Sequence, residues 1–158
     1  MEIERKFLIG GFPKLAPCRE ADVWQGYLCT SPVVRIRKKQ EGEAASYVLC
    51  FKGDGTLARE EIELPLDVDT YERLRGLLKA PLVHKTYKVY PLPDGRRLEV
   101  SLVDEGEPQA FYYAEVEFDS VEEANAFVPP AFLGADVTEN PAFSMSVYWE
   151  TRQKPAIE

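Results

Sequence analysis

The chain is short of positive charge. Nineteen Lys and Arg face 27 Asp and Glu, a formal net charge of -8, so there is no diffuse basic surface of the kind that neutralises phosphates along a duplex. Nucleic acid is excluded as an expected partner. A polyanion could bind only at a local cluster of cations, or through divalent ions that reverse the sign of a carboxylate site. Cysteine is also sparse: Cys18, Cys29 and Cys50 cannot all pair within one chain and have no CxxC spacing, which excludes a disulfide scaffold and a thiolate zinc site. They are expected to be reduced packing thiols. No apolar run reaches membrane-spanning length, and the first residues alternate charge at Glu2, Arg5 and Lys6. No membrane partner and a cytoplasmic location are therefore expected. Low-complexity tracts, linkers and fixed-period repeats are absent too.

What is present fits one globular domain: 158 residues, 45% hydrophobic and 29% charged, long enough to bury a core. Period-two alternation predicts strands at 2–9, 22–30, 33–39, 46–52, 58–64, 83–92, 96–103 and 110–118. Turn signals such as Ser31-Pro32, Glu41-Gly42, Gly53-Asp54-Gly55 and Pro93-Asp94-Gly95 lie between them, predicting a mostly up-and-down antiparallel meander. Helices are fewer. One is predicted over 69–79, with Asp69 and Glu72 at capping-box spacing, Tyr71, Leu74 and Leu78 on an apolar stripe, and Pro81 beyond. A second begins at Ser120, with Glu123 three residues on, and stops before Pro129; a third covers 143–152. The fold class is mainly β (α+β), a closed or nearly closed barrel packed against a few helices.

Four strands carry paired like charges on one face: Glu2, Glu4 and Lys6; Arg35 and Arg37; Glu61 and Glu63; Glu115 and Glu117. Residues two apart share a face, so Ile3 and Phe7, Ile36, Ile62 and Val116 take the other. The plain interpretation is a solvated face over an apolar barrel interior. The inverse turns the charges inward, where carboxylate pairs offer hard oxygen ligands to Mg²⁺ or Mn²⁺ and basic pairs grip phosphate oxygens. Both orientations give a period of two, so alternation leaves the choice open.

The opening Glu2-Ile3-Glu4-Arg5-Lys6 resembles the ExExK signature of the CYTH proteins, or triphosphate tunnel metalloenzymes. The resemblance continues through Gln25-Gly26-Tyr27-Leu28, Arg35-Ile36-Arg37, Phe51-Lys52-Gly53, Arg59-Glu60-Glu61-Ile62-Glu63 and Ala114-Glu115-Val116-Glu117. It implies an eight-stranded antiparallel tunnel with charges inside, which is the inverse orientation. It further implies that Glu2, Glu4, Glu115 and Glu117 hold Mg²⁺ or Mn²⁺ and that Lys6, Arg35, Arg37, Lys52, Arg59 and Lys85 contact phosphate. Glu61 and Glu63, with Lys6, are the expected catalytic residues, serving a second metal or the attacking water.

Three positions depart from the family pattern: Tyr87 stands for a cation, Ser101 for a carboxylate and Ala135 for a lysine. The resemblance implies metal-dependent hydrolysis of a linear triphosphate, inorganic tripolyphosphate first, with the small anionic phosphate as partner. A binding module with weakened turnover and an enzyme acting on ATP (an adenylate cyclase) or thiamine triphosphate are the alternatives. An apolar barrel exterior left uncovered would favour a homodimer.

Overall fold

A computed structural model describes residues 1–153. The strands are β1 (Glu2–Leu8), β2 (Arg19–Thr30), β3 (Val33–Glu41), β4 (Ala44–Lys52), β5 (Ala58–Arg59), β6 (Glu61–Pro65), β7 (Val83–Pro91), β8 (Arg97–Val103) and β9 (Phe111–Glu117). The helices are α1 (Val68–Arg75), α2 (Val121–Ala126) and α3 (Met145–Gln153), the last preceded by a 3-10 turn at Pro141–Phe143. All eight predicted strands are found. The run predicted as 58–64 is interrupted at Glu60, and its halves β5 and β6 pair with β1 and β4. Because they are consecutive in the chain, they join the two ends of the sheet order β5-β1-β9-β8-β7-β2-β3-β4-β6 into a barrel. The nine strands thus stand for the eight expected, one of them broken.

A simple meander is not what connects them. β2-β3-β4 and β7-β8-β9 are consecutive antiparallel neighbours, but β1 pairs with β9 and β2 with β7. Residues 9–18, with Gly10, Gly11, Pro13 and Pro17, lack strand alternation and form a long connection where a hairpin turn would be needed to keep β1 beside β2. The barrel is nearly closed, so most strands have a partner on both sides and their backbone donors and acceptors are satisfied laterally.

Apolar side chains point outward and are covered. On one flank Phe7, Leu98, Val100, Ala114 and Val116 form a core with Ala124 of α2 and with Phe118, Tyr90 and Leu92. Ile36 is fully buried on another flank, where α1 places the buried Tyr71 ring 4.9 Å from Tyr47. Gly26 allows the adjacent connection to close down: a Cβ there would lie 2.4 Å from Leu78. Ile62 and Leu64 on β6 remain about half exposed. An apolar barrel interior, which would have placed Ile3, Ile36, Ile62 and Val116 inside, is therefore overturned.

Two helix boundaries differ from expectation. α1 is capped by Asp67, not Asp69, through a 2.7 Å bond accepted from the Thr70 amide. Asp67 follows Leu66 out of the strand with extended backbone, as an N-cap requires, while Asp69 is already in the first turn. The helix also stops at Arg75, where Gly76 follows, well before Pro81. For α2, Ser120 caps as expected, accepting from the Glu123 amide at 3.1 Å. Among the described residues no helix is long and apolar enough to cross a membrane.

α3 packs into one end of the barrel, with Met145 and Trp149 among the inward residues Tyr27, Val83, Val103 and Tyr113. Asp104 fastens it. This buried carboxylate meets Arg152 at 2.6 Å, accepts from the Tyr148 hydroxyl at 2.5 Å and from the His84 amide at 3.0 Å, and holds φ at 50°. Removing one member of such a buried pair strands the other charge. Asp104→Ala should lower the unfolding free energy by roughly 3–5 kcal/mol, and Asp104→Asn, which tolerates the positive φ and keeps an acceptor, by less. Urea denaturation of the two variants checks this; equal losses would show that the ion pair is not the anchor.

Candidate active site

The alternation that turns apolar side chains out turns charged ones in. The tunnel, a cavity of about 1050 Å³, is lined by Glu2, Glu4 and Lys6 of β1, Arg35, Arg37 and Lys39 of β3, Lys52 of β4, Arg59 of β5, Glu61 and Glu63 of β6, Lys85 and Tyr87 of β7, Glu99 and Ser101 of β8, and Tyr113, Glu115 and Glu117 of β9. Every residue expected at the site from sequence faces this one space. In all, ten basic and nine acidic side chains line it, so the chain's negative surplus lies outside the tunnel.

Register explains the grouping. Glu4 opposes Glu117 and Lys6 opposes Glu115 across β1 and β9; Lys52 opposes Glu61 across β4 and β6; Glu2 opposes Arg59 across β1 and β5. Carboxylate oxygens of Glu2, Glu4 and Glu117 lie within 4.8 Å of one another. Three converging carboxylates are a donor set suited to a hard divalent cation, and the residues present fit Mg²⁺ or Mn²⁺. Glu115, expected with them, lies outside this three-carboxylate cluster and directly opposite Lys6. Burial raises it, but the neighbouring Glu4, Lys6, Lys85 and Lys52 outweigh that and draw it down to about 2. Glu4 is pushed well above the usual carboxylate range by burial and by Glu115; Glu2 and Glu117 are raised as well, first by burial. A cation bound among them would oppose this rise, because carboxylate ligands bind metal in their deprotonated form.

The cations are held in partly neutralised pairs. Lys52, 6% exposed, reaches Glu2 at 3.0 Å and Glu61 at 3.3 Å, Arg59 meets Glu2 at 3.6 Å, and Arg37 meets Glu63 at 3.2 Å. Lys85, 8% exposed, donates to the Tyr113 hydroxyl. Burial and then the neighbouring Arg35 take its pKa down to about 7. Lys6 is lowered by burial against the pull of Glu115 and Glu4, and it donates to the Phe143 carbonyl at 2.5 Å, tying the tunnel to the segment before α3.

Several lining groups were not singled out by sequence. Tyr113 faces inward two residues before Glu115, opposite Ser101, and takes a hydrogen bond from Lys85; the spacing itself was the available signal. Gln25, fully buried, leaves its Oε1 without a partner among the described residues. Cys50, also buried, lies opposite Glu63, whereas Cys18 and Cys29 are exposed, not packing, thiols. His84 pairs with Asp22 at 2.8 Å outside the tunnel.

The three departures have different consequences. Tyr87 points inward and its phenol donates to Glu99. Ser101 is buried beside Tyr113. Ala135 is exposed and does not line the cavity. Glu99 is raised from the ordinary 4.5 to about 7, by burial first and then by Glu115.

A raised carboxyl contributes stability fully below its unfolded value and loses it as pH climbs through the folded one. Without added metal, Glu99→Gln should therefore match the parent near pH 4.5 and exceed it by about 3 kcal/mol at pH 8. Denaturant titrations at both pH values read this directly; a variant less stable than the parent at pH 8 would refute the buried, protonated Glu99.

Comparison with known proteins agrees with the architecture. The chain is 36% identical over 152 residues to an inorganic triphosphatase of Nitrosomonas europaea, covering 92% of this chain and 98% of that protein. Its fold matches the crystal structure of an inorganic triphosphatase with a TM-score of 0.65 and 29% identity, covering 99% of this chain and 97% of the other. A Hippeastrum protein, described as an adenylyl cyclase with a dominant triphosphatase activity, shares the fold at a TM-score of 0.54 and 17% identity, over 79% of this chain and 83% of its own. No family model matches the chain.

Proposed function

The chain belongs to the family of the inorganic triphosphatases, and from that premise we propose that it hydrolyses a linear triphosphate, inorganic tripolyphosphate first, inside the tunnel. The observation that carries this reading is the convergence of six cations and a three-carboxylate cluster on a single cavity. It is the short bacterial form of the CYTH, or triphosphate tunnel, type.

Lys6, Arg35, Arg37, Lys52, Arg59 and Lys85 hold the phosphate oxygens. Binding a polyanion rearranges the existing pairs: phosphate competes for Lys52 against Glu2 and Glu61, and for Arg37 against Glu63. It also returns Lys85 to its charged form, since a nearby anion opposes the burial that brought its pKa down to about 7. Glu2, Glu4 and Glu117 would hold Mg²⁺ or Mn²⁺, with Glu115 beside them; when bound, such an ion neutralises phosphate charge and polarises the phosphoryl oxygens. Glu61 and Glu63, on the wall facing β1 and β3, orient the attacking water. The water oxygen bonds to the terminal phosphorus in line with the bridging oxygen, that P–O bond breaks, and phosphate and pyrophosphate are released. Positioning and electrostatics suffice for this chemistry, which explains the absence of a Ser-His-Asp or Cys-His set from the tunnel.

Phosphate release from tripolyphosphate with Mg²⁺ or Mn²⁺ tests the reading. Release should depend on metal and fall by about a hundredfold or more in Glu4→Ala and in Arg37→Ala. No release by the parent, or release unaffected by both substitutions, would overturn it; conversion of ATP to cyclic AMP would redirect it.

A further inference from the structure

Tyr113 joins two of the tunnel's cations. The Lys6 ammonium lies 4.3 Å from the centre of its ring and the Lys85 ammonium 5.1 Å, and Lys85 also donates to the Tyr113 hydroxyl oxygen. Register makes this reach possible. On one side Tyr113 lies opposite Leu8 of β1, two residues on from Lys6; on the other it lies opposite Ser101 of β8. Ser101 in turn opposes Tyr87 of β7, two residues on from Lys85. The Ser101 side chain is short, so the phenol spans β8 to reach β7.

Lys6 and Lys85 are held differently from their neighbours. Lys52 lies between Glu2 and Glu61, Arg59 meets Glu2, and Arg37 meets Glu63, so each of these cations must give up a carboxylate before it grips phosphate. Among the described residues neither Lys6 nor Lys85 has a carboxylate within ion-pair distance, and nor does Arg35, which lies opposite Tyr27. An aromatic face and a hydroxyl oxygen each attract an ammonium without cancelling its charge. Tyr113 is itself fixed in place. It is 2% exposed and packs with Val83, Val103 and the α3 residues Met145 and Trp149, its ring centre 6.1 Å from that of Phe111. A lysine is long and flexible, and ordering it only when ligand arrives would weaken binding. A rigid ring that already orders two of them removes that loss.

We propose that Tyr113 is a positioning residue that holds Lys6 and Lys85 ready for phosphate, its ring face setting the first and its hydroxyl oxygen the second. The inference rests on the reading that these two lysines contact phosphate oxygens. The two parts of the side chain can be removed in turn: phenylalanine keeps the face beside Lys6 and loses the acceptor for Lys85, while leucine loses both.

The test measures tripolyphosphate hydrolysis with Mg²⁺ by the parent, Tyr113→Phe and Tyr113→Leu, each checked for unchanged thermal unfolding. The value of kcat/KM should fall about tenfold in Tyr113→Phe, the loss expected for one charge-assisted hydrogen bond, and about fivefold more in Tyr113→Leu, that of an ammonium on an aromatic face. In a Lys85→Met background Tyr113→Phe should cost nothing further, whereas in a Lys6→Met background it should still cost about tenfold. A merely structural role would give equal losses in both backgrounds. That result, or a Tyr113→Phe variant as active as the parent, overturns the positioning. The comparison of backgrounds uses Tyr113→Phe alone, so it stands even where the leucine variant unfolds. Lysine side-chain NMR of the ligand-free protein reads the same contacts without activity. The Lys6 ε-methylene signal, shifted upfield by the ring, should persist in Tyr113→Phe and be lost in Tyr113→Leu, while the Lys85 signal moves in both. Lysine signals unmoved in either variant overturn the positioning. Signals that move as expected in a protein that releases no phosphate count against the triphosphatase reading and leave the positioning standing.

Discussion

Burying many ionisable groups in one cavity is the constraint on which the rest of this structure depends. An isolated charge taken out of water is strongly unfavourable, and even a pair recovers the loss only with good geometry. The barrel meets the constraint by register. Because β1 runs antiparallel to β9 and beside β5, and β4 beside β6, each inward charge is brought opposite or diagonal to another. Lys52 between Glu2 and Glu61 is the clearest case. Where burial and like charges combine, the pKa values move: Glu4 is pushed well above the usual carboxylate range, Glu99 is taken up to about 7, and Lys85 down to about 7.

These protonation states have a functional consequence. Ten basic and nine acidic groups line the tunnel, close to balance if all were charged. Burial raises the carboxyls Glu2, Glu4, Glu99 and Glu117 and lowers the ammoniums Lys6, Lys39 and Lys85, so burial acts on both signs inside a chain whose formal charge is -8. Ten of the chain's nineteen basic side chains line this one cavity, and confinement selects what is narrow enough to enter.

The strands were legible because a barrel wall needs strict alternation, and runs such as Glu2-Ile3-Glu4-Arg5-Lys6 state it without ambiguity. The direction of the pleat was not, since Arg35 and Ile36 exchange roles without any change in period; only the motif resemblance selected the inward charge. Connectivity was less legible still. The pairing of β1 with β9 joins residues more than a hundred positions apart, and nothing local to Lys6 announces Glu115. The same holds within the site. Glu115 belongs by sequence with Glu117, yet it lies opposite Lys6, and Lys6, Lys85 and Lys52 help to draw its pKa down. Tyr113 and Gln25 escaped notice because a tyrosine or glutamine in a strand is ordinarily packing, and its polar use is set by strands distant in sequence. Ala135 failed in the opposite way: a family position that invites a charge lies outside the lining in this chain.

The helices show how the exterior and interior depend on each other. Turning charges inward obliges apolar residues to face outward, and a bare apolar barrel would aggregate. α1 and α2 cover two flanks through Tyr71 and Ala124, while α3 closes an end with Met145 and Trp149. The α3 end is also where Lys6 reaches the Phe143 carbonyl, so the same segment that shields apolar surface fixes one of the tunnel-lining ammoniums. Because Asp104 ties α3 to the start of β7 through the His84 amide, the position of Lys6 is set by a network anchored outside the tunnel. The chemistry inside is therefore supported by the packing outside.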